Sequence, residues 1–177
     1  MYQLVNKSDL NDYKYMADSV KNVAVWPQYV SEAQLFDVKQ WLGDTLLNEI
    51  ITQSQTSPSS VSVLNQKLLD GGSYVSNGNT YTFQGLKAAI IYYAFARFTS
   101  KSIYNYTQAG ITVKDSDLST PASDKAIQRL QTENYLMAET IKDEIVLYLK
   151  RNSSDYPLFN SCRHIQGRRG SFIAIGD

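Results

Sequence analysis

The chain has 177 residues, with 17 Lys and Arg against 17 Asp and Glu, so no global field draws it to nucleic acid or to an anionic membrane. Its length suits one domain able to bury most of its unfolded surface, and no apolar run approaches the roughly 20 residues that cross a bilayer. One cysteine, Cys162, excludes an internal disulfide, and Met1 to Asn6 lack the basic and apolar blocks of a signal peptide, which predicts an intracellular protein at synthesis.

A short helix, polar on most faces, is expected near Ser8 to Val20. Ser31 with Gln34 three residues on, flanked by Val30 and Leu35, spells a capping box with a hydrophobic staple, which predicts a helix start at Ser31. Leu35, Val38, Leu42, Leu46 and Ile50 then recur at helical spacing to about Thr52. Gly43 inside that stripe marks either a close backbone crossing or a tolerated defect. Thr52 to Ser60 reads as a polar loop, and Val61 to Leu69 as a short helix stopped by Gly71 and Gly72.

Asn77-Gly78 between strand-forming flanks predicts a β-hairpin over about 73–84. In that register Tyr74 faces Tyr81 with Phe83 on the same side, so one face is aromatic and should pack on the helices. Asn77 and Gly78, at the tip, are left free to reach a partner. Ala88 to Ala96 is apolar throughout, and a helix apolar all round must be covered on every side. It is expected to run from about Leu86 to Tyr106 as the central post of a helical bundle.

A polar loop from Gly110 to Asp117 follows, carrying Asp115 and Asp117, and Thr120-Pro121 should open the last long helix. Its stripe is Ile127, Leu130, Met137, Ile141, Ile145 and Tyr148, interrupted by Asn134. After Asp155 the helical period fails. Residues 156–177 are expected to form an extended C-terminal arm on a helical domain of residues 1–155. Phe159, Phe172, Ile173 and Ile175 are its apolar anchors, and Gly167 and Gly170 bracket Arg168 and Arg169.

The search for chemistry is short. One histidine, His164, and one cysteine cannot make a Cys/His zinc site within the chain. Asp115-Ser116-Asp117 begins like a calcium loop, but Thr120 and Ala126 stand where that loop needs glycine and glutamate. No phosphate-binding glycine loop is present. No catalytic residue, metal or cofactor is therefore expected. Arg163, His164, Arg168 and Arg169 form a local basic patch that can pair with acidic groups of a neighbouring subunit, contact DNA phosphates, or remain solvated. Thirteen tyrosines suit protein interfaces or a half-buried helical surface equally well.

Three groups of residues occur in an unusual order: Val30-Ser31-Glu32-Ala33-Gln34-Leu35 with Leu42-Gly43-Asp44; Tyr81-Thr82-Phe83-Gln84-Gly85-Leu86-Lys87 leading into Tyr92 to Arg97; and Ala109-Gly110-Ile111 with Pro121 to Lys125. Together they resemble the head-to-tail connector proteins of tailed bacteriophages, closest to the adaptor or neck-ring proteins of phages of Bacteroidetes and the crAss-like group. The resemblance implies a mainly α protein that assembles as a ring, a dodecamer matching the portal, within the virion neck between portal and tail. It also implies a structural part with no enzyme activity, made in the host cytoplasm, touching the portal, further connector or tail proteins, and packaged double-stranded DNA. Asn77, Gly78, Asp115, Asp117, Phe159, Arg163, Arg168, Arg169, Phe172, Ile173 and Ile175 are the expected interface positions. The alternative is a helical packaging or regulatory subunit that binds nucleic acid through the arginine-containing tail.

Overall fold

In the computed structural model the described residues are 2–13, 25–57, 60–101, 104–107, 110–113 and 123–159. The elements are α1 (Lys7–Tyr13), α2 (Val25–Glu32) continued by a π-helical turn (Ala33–Val38), α3 (Lys39–Leu42), α4 (Asp44–Thr56), α5 (Val63–Asp70), β1 (Gly72–Ser76), β2 (Asn79–Phe83), α6 (Gly85–Lys101), β3 (Tyr104–Thr107), β4 (Gly110–Val113) and α7 (Asp124–Arg151). The fold is mainly helical, a bundle around α6, with a small antiparallel hairpin inserted ahead of that helix.

The α6 sequence dictates its position. Leu86, Ala88, Ala89, Ile90, Ile91 and Ala94 have no exposed surface, and Tyr93 is 2% exposed. Helices α1, α2 and α5 and the π turn pack on α6, and the long α7 runs against it. A helix centre without a polar face has no other place in a bundle.

The first long helix begins earlier than its capping signature suggests. Helix α2 is already formed at Val25, with Pro27 in its first turn, where a missing N–H costs no bond, and Ser31 lies within it. Gln34 does not cap. It is fully buried, its Oε1 accepts from Leu4 N–H at 2.9 Å and its Nε2 donates to Tyr2 O at 3.0 Å, which ties the N-terminal strand of chain to the bundle. At the π turn Lys39 N–H bonds to Gln34 O, one residue beyond the α pattern. The extra residue turns Leu35 and Phe36 outward, 40% and 50% exposed, while Val38 stays buried. Leu35 thus leaves the predicted stripe. Gly43, at φ 88°, ends α3, and α4 begins directly after it, so it separates two helices instead of sitting as a defect inside one. Helix α4 continues to Thr56, into residues expected to be loop, and Val38, Leu42, Leu46 and Ile50 are buried as predicted.

Helix α5 starts at the N-cap Ser62, whose hydroxyl accepts from Asn65 N–H, and stops before Gly71. The hairpin has the predicted register: Tyr74 pairs with Tyr81, and Asn77 and Gly78 turn at φ 51° and 76°. Its base is closed by two glycines in contact. A Cβ on Gly85 (φ +81°) would strike the backbone of Gly71, Asp70 and Leu69, and one on Gly71 that of Phe83 and Gln84.

Helix α6 ends at Lys101, five residues before the expected end. Tyr104–Thr107 instead pairs with Gly110–Val113 as a second antiparallel hairpin, its first strand over the expected helix end and its second over the start of the expected polar loop. The aromatic and β-branched residues there prefer a pleated surface to a helix. Helix α7 starts with Ser123 as N-cap, its hydroxyl accepting from Ala126 N–H, rather than at Thr120-Pro121.

Residues 156–159, expected to open the arm, belong to the bundle. Tyr156 is 3% exposed and its hydroxyl donates to Leu64 O at 2.7 Å, while Leu158 and Phe159 pack on the core. A buried phenol needs a partner for its hydroxyl, and α5 supplies one.

Candidate interaction surfaces

Three regions of the surface hold chemistry beyond ordinary solvation. At the first, the hairpin is fixed to the C-terminal end of α7. Tyr74 and Phe83 pack against the Tyr148 ring at centroid distances of 5.0 and 4.2 Å. Arg151 closes the seam: its guanidinium lies 3.9 Å over the Tyr81 ring and donates to the Tyr74 hydroxyl at 3.1 Å. The outer face of the hairpin carries Val75, 68% exposed, and the tip residues Asn77 and Gly78 are exposed. The hairpin is therefore a rigid projection rather than a loose loop.

The second region lies where α2, the π turn and α6 meet. Arg97 donates from Nε to Asp37 Oδ2 at 2.7 Å and from Nη2 to Oδ1 at 2.9 Å, a bidentate pair, and its guanidinium lies 5.5 Å from the Phe36 ring. Lys101 donates to Glu32 at 3.0 Å. Burial pushes the Glu32 carboxyl up, but hydrogen bonds from Lys101 and Gln28 and the charges of Lys101 and Arg97 outweigh it and hold it below its ordinary value. The Asp37 hydrogen bonds hold Arg97 still more firmly in its charged form. Exposed Phe36 is presented by an oriented cation.

The third region is the outer side of α7. Towards α6, Tyr93 donates to Glu139 at 2.5 Å, and Lys142 pairs with the same carboxylate. Burial, then the Glu139 hydrogen bond and charge, push the Tyr93 phenol far above its usual value. Burial also pushes Glu139 up, but the bonds from Lys142 and Tyr93 prevail and keep it ionised to lower pH. Along α7, Leu130, Leu136, Met137 and Leu147 are 47, 59, 48 and 44% exposed. Leu130 and Met137 were expected in the buried stripe. They lie in the N-terminal half of a 28-residue helix that pairs with a 17-residue one, so less of the bundle is available to cover them. Asn134, between them, is 2% exposed; its Nδ2 donates to Leu130 O, and its Oδ1 meets no donor.

Of the expected interface positions, Asn77 and Gly78 are at the exposed tip, and Phe159 is half-buried on its own core. Asp115, Asp117, Arg163, Arg168, Arg169, Phe172, Ile173 and Ile175 lie outside the described residues. The Phe36, Asp37 and Arg97 group escaped sequence reasoning because only the π turn brings Asp37 to Arg97, and no spacing rule anticipates that turn. Among the described residues no group of three or more His, Cys, Asp or Glu could hold a metal, and no helix is long and apolar enough to cross a membrane.

Fold and surface together define a mainly helical domain with a fixed projecting hairpin and an uncovered apolar side on its longest helix. Residues 38–169 match a family described as a family of unknown function, DUF6712, and the chain belongs to that family. No curated protein and no solved structure matches it.

Proposed function

We propose that this chain is a structural subunit of a phage head-to-tail connector, assembling as a ring between portal and tail, with an architectural rather than catalytic role. The observation that carries the reading is the uncovered side of α7. Four large apolar side chains, each more than two-fifths exposed, sit on one helix of a bundle whose other apolar groups are mostly buried. Surface of that kind is typical of chains that assemble.

The residues of the connector resemblance also fall at positions with structural duties. Gly85 makes the turn from β2 into the buried helix, and Gly43 divides α3 from α4. In the proposed ring, the hairpin tip and the α7 side face other subunits or the portal. Electron microscopy of purified phage particles, labelled with antibody against this chain, should place the label at the neck. Label on the capsid shell or tail tip, or none on the particle, would overturn the reading.

A further inference from the structure

The outer side of α7 has a chemistry that selects its occupant. Two rows run along it at seven-residue spacing, Leu130, Met137 and Glu144 in one and Glu133, Thr140 and Leu147 in the other. Such rows form the seam of paired helices when they are apolar. Here half of the six positions are polar. Glu133 is 51% exposed and Asp143, beside the rows, is 79% exposed. From Arg129 to Leu147 the helix carries four acids, Glu133, Glu139, Asp143 and Glu144, against Arg129 and Lys142, and Arg129 pairs with Glu133 at 2.9 Å. Lys142 is already engaged by Glu139. A second copy of α7 laid on this seam would set acid against acid. The seam calls for a segment that is both apolar and basic.

The chain contains one. Residues 160–177 carry Arg163, Arg168 and Arg169 against Asp177, with Phe172, Ile173 and Ile175 following the arginines. Fully extended, 18 residues reach about 60 Å, longer than α7 itself at about 42 Å. The segment follows Phe159, which packs on the core three residues after Tyr156 and its bond to Leu64 O.

We propose that residues 160–177 of one subunit dock along the acidic and apolar seam of α7 in the next subunit of the ring. The arginines pair with Glu133, Asp143 and Glu144, and the apolar residues cover Leu136, Met137 and Leu147. The inference rests on the ring reading and names the contact that closes it.

The test uses full-length chains with the phage's portal protein present, assembly being read by mass photometry. One variant carries Glu133→Lys, Asp143→Lys and Glu144→Lys; the other carries Arg163→Glu, Arg168→Glu and Arg169→Glu. Circular dichroism of both should match the parent and melting should stay within about 1 kcal/mol of it, because Glu133 and Asp143 are exposed and Glu144 is half-buried. Each variant alone should assemble at least about tenfold more weakly, since like charges then meet at every docking site. An equimolar mixture should assemble as the parent does, because each arm then finds a seam of opposite charge on the other chain.

Parent-like assembly of either variant alone would overturn the docking while leaving the ring intact. So would a mixture no better than its components, the outcome expected if the arm lies on its own α7 or if the seam belongs to the portal. A parent chain that forms no ring with the portal would remove the ring reading itself.

Discussion

Two glycines with similar backbone angles show how much a single position depends on its surroundings. Gly78 turns the hairpin at φ +76° with open space where a Cβ would go, whereas Gly85 at φ +81° abuts the backbone of Gly71, Asp70 and Leu69. Gly78→Ala should therefore cost about 1 kcal/mol, the left-handed penalty alone. Gly85→Ala adds collision with backbone that cannot rotate away and should cost at least about 3 kcal/mol. Denaturant melts of the two variants check this, and equal losses would mean that the contact at the hairpin base relaxes. Gln34 makes a comparable point about polarity. Gln34→Leu keeps the volume but leaves Leu4 N–H and Tyr2 O without their partners, a loss of about 1 to 3 kcal/mol. Hydrogen exchange at Leu4 should accelerate before any global unfolding.

At the scale of elements, the bundle is joined by a few polar fasteners over an apolar core. Arg151 holds the hairpin on α7, and Arg151→Ala should loosen it at a cost of about 1 to 2 kcal/mol, since it removes a cation–π contact and a hydrogen bond together. Glu32 fastens α2 to α6, and Glu139 fastens α6 to α7. Both carboxyls are held below their ordinary values. The unfolded chain therefore binds their protons first as pH falls. The stability they contribute is fully present above about pH 4.3 and is lost as pH drops through their lower folded values. Melting midpoints should fall as the pH drops below about 4.3, and less steeply in a Glu32→Gln, Glu139→Gln variant.

Elements whose signals are local were legible in the sequence: the hairpin register from Asn77-Gly78, the buried post from Ala88 to Ala96, and the α5 stop at Gly71. The start of α2 was not, because Gln34, the residue that completes the capping box, is consumed by a contact with Leu4 some 30 residues away. The end of α6 was missed because Tyr104 and Tyr106 continue an apolar rhythm, although their partners lie across a turn at Ile111 and Val113. The exposed side of α7 has the same cause: its stripe predicts burial, but burial also requires a neighbour of equal length.

For the whole molecule, one helix has a fully buried centre and another is left partly bare. Ile90→Asp or Ile91→Asp would bring an unpaired charge to a position with no exposed surface, a cost of several kcal/mol that rivals the stability of a domain. Neither variant should yield soluble protein with a cooperative melt. Leu136→Ser and Met137→Ser, on the bare side of α7, should change monomer melting by less than about 0.5 kcal/mol yet weaken assembly. Denaturant melts read the first effect and sedimentation velocity the second. The most direct measurement is electron-microscopic class averaging of the purified chain mixed with its proposed portal partner. The account predicts a twelvefold ring of this chain seated on one end of the portal, reduced in the Leu136→Ser, Met137→Ser variant. Portal particles without added density, beside a chain that stays monomeric at saturating concentration, would contradict it.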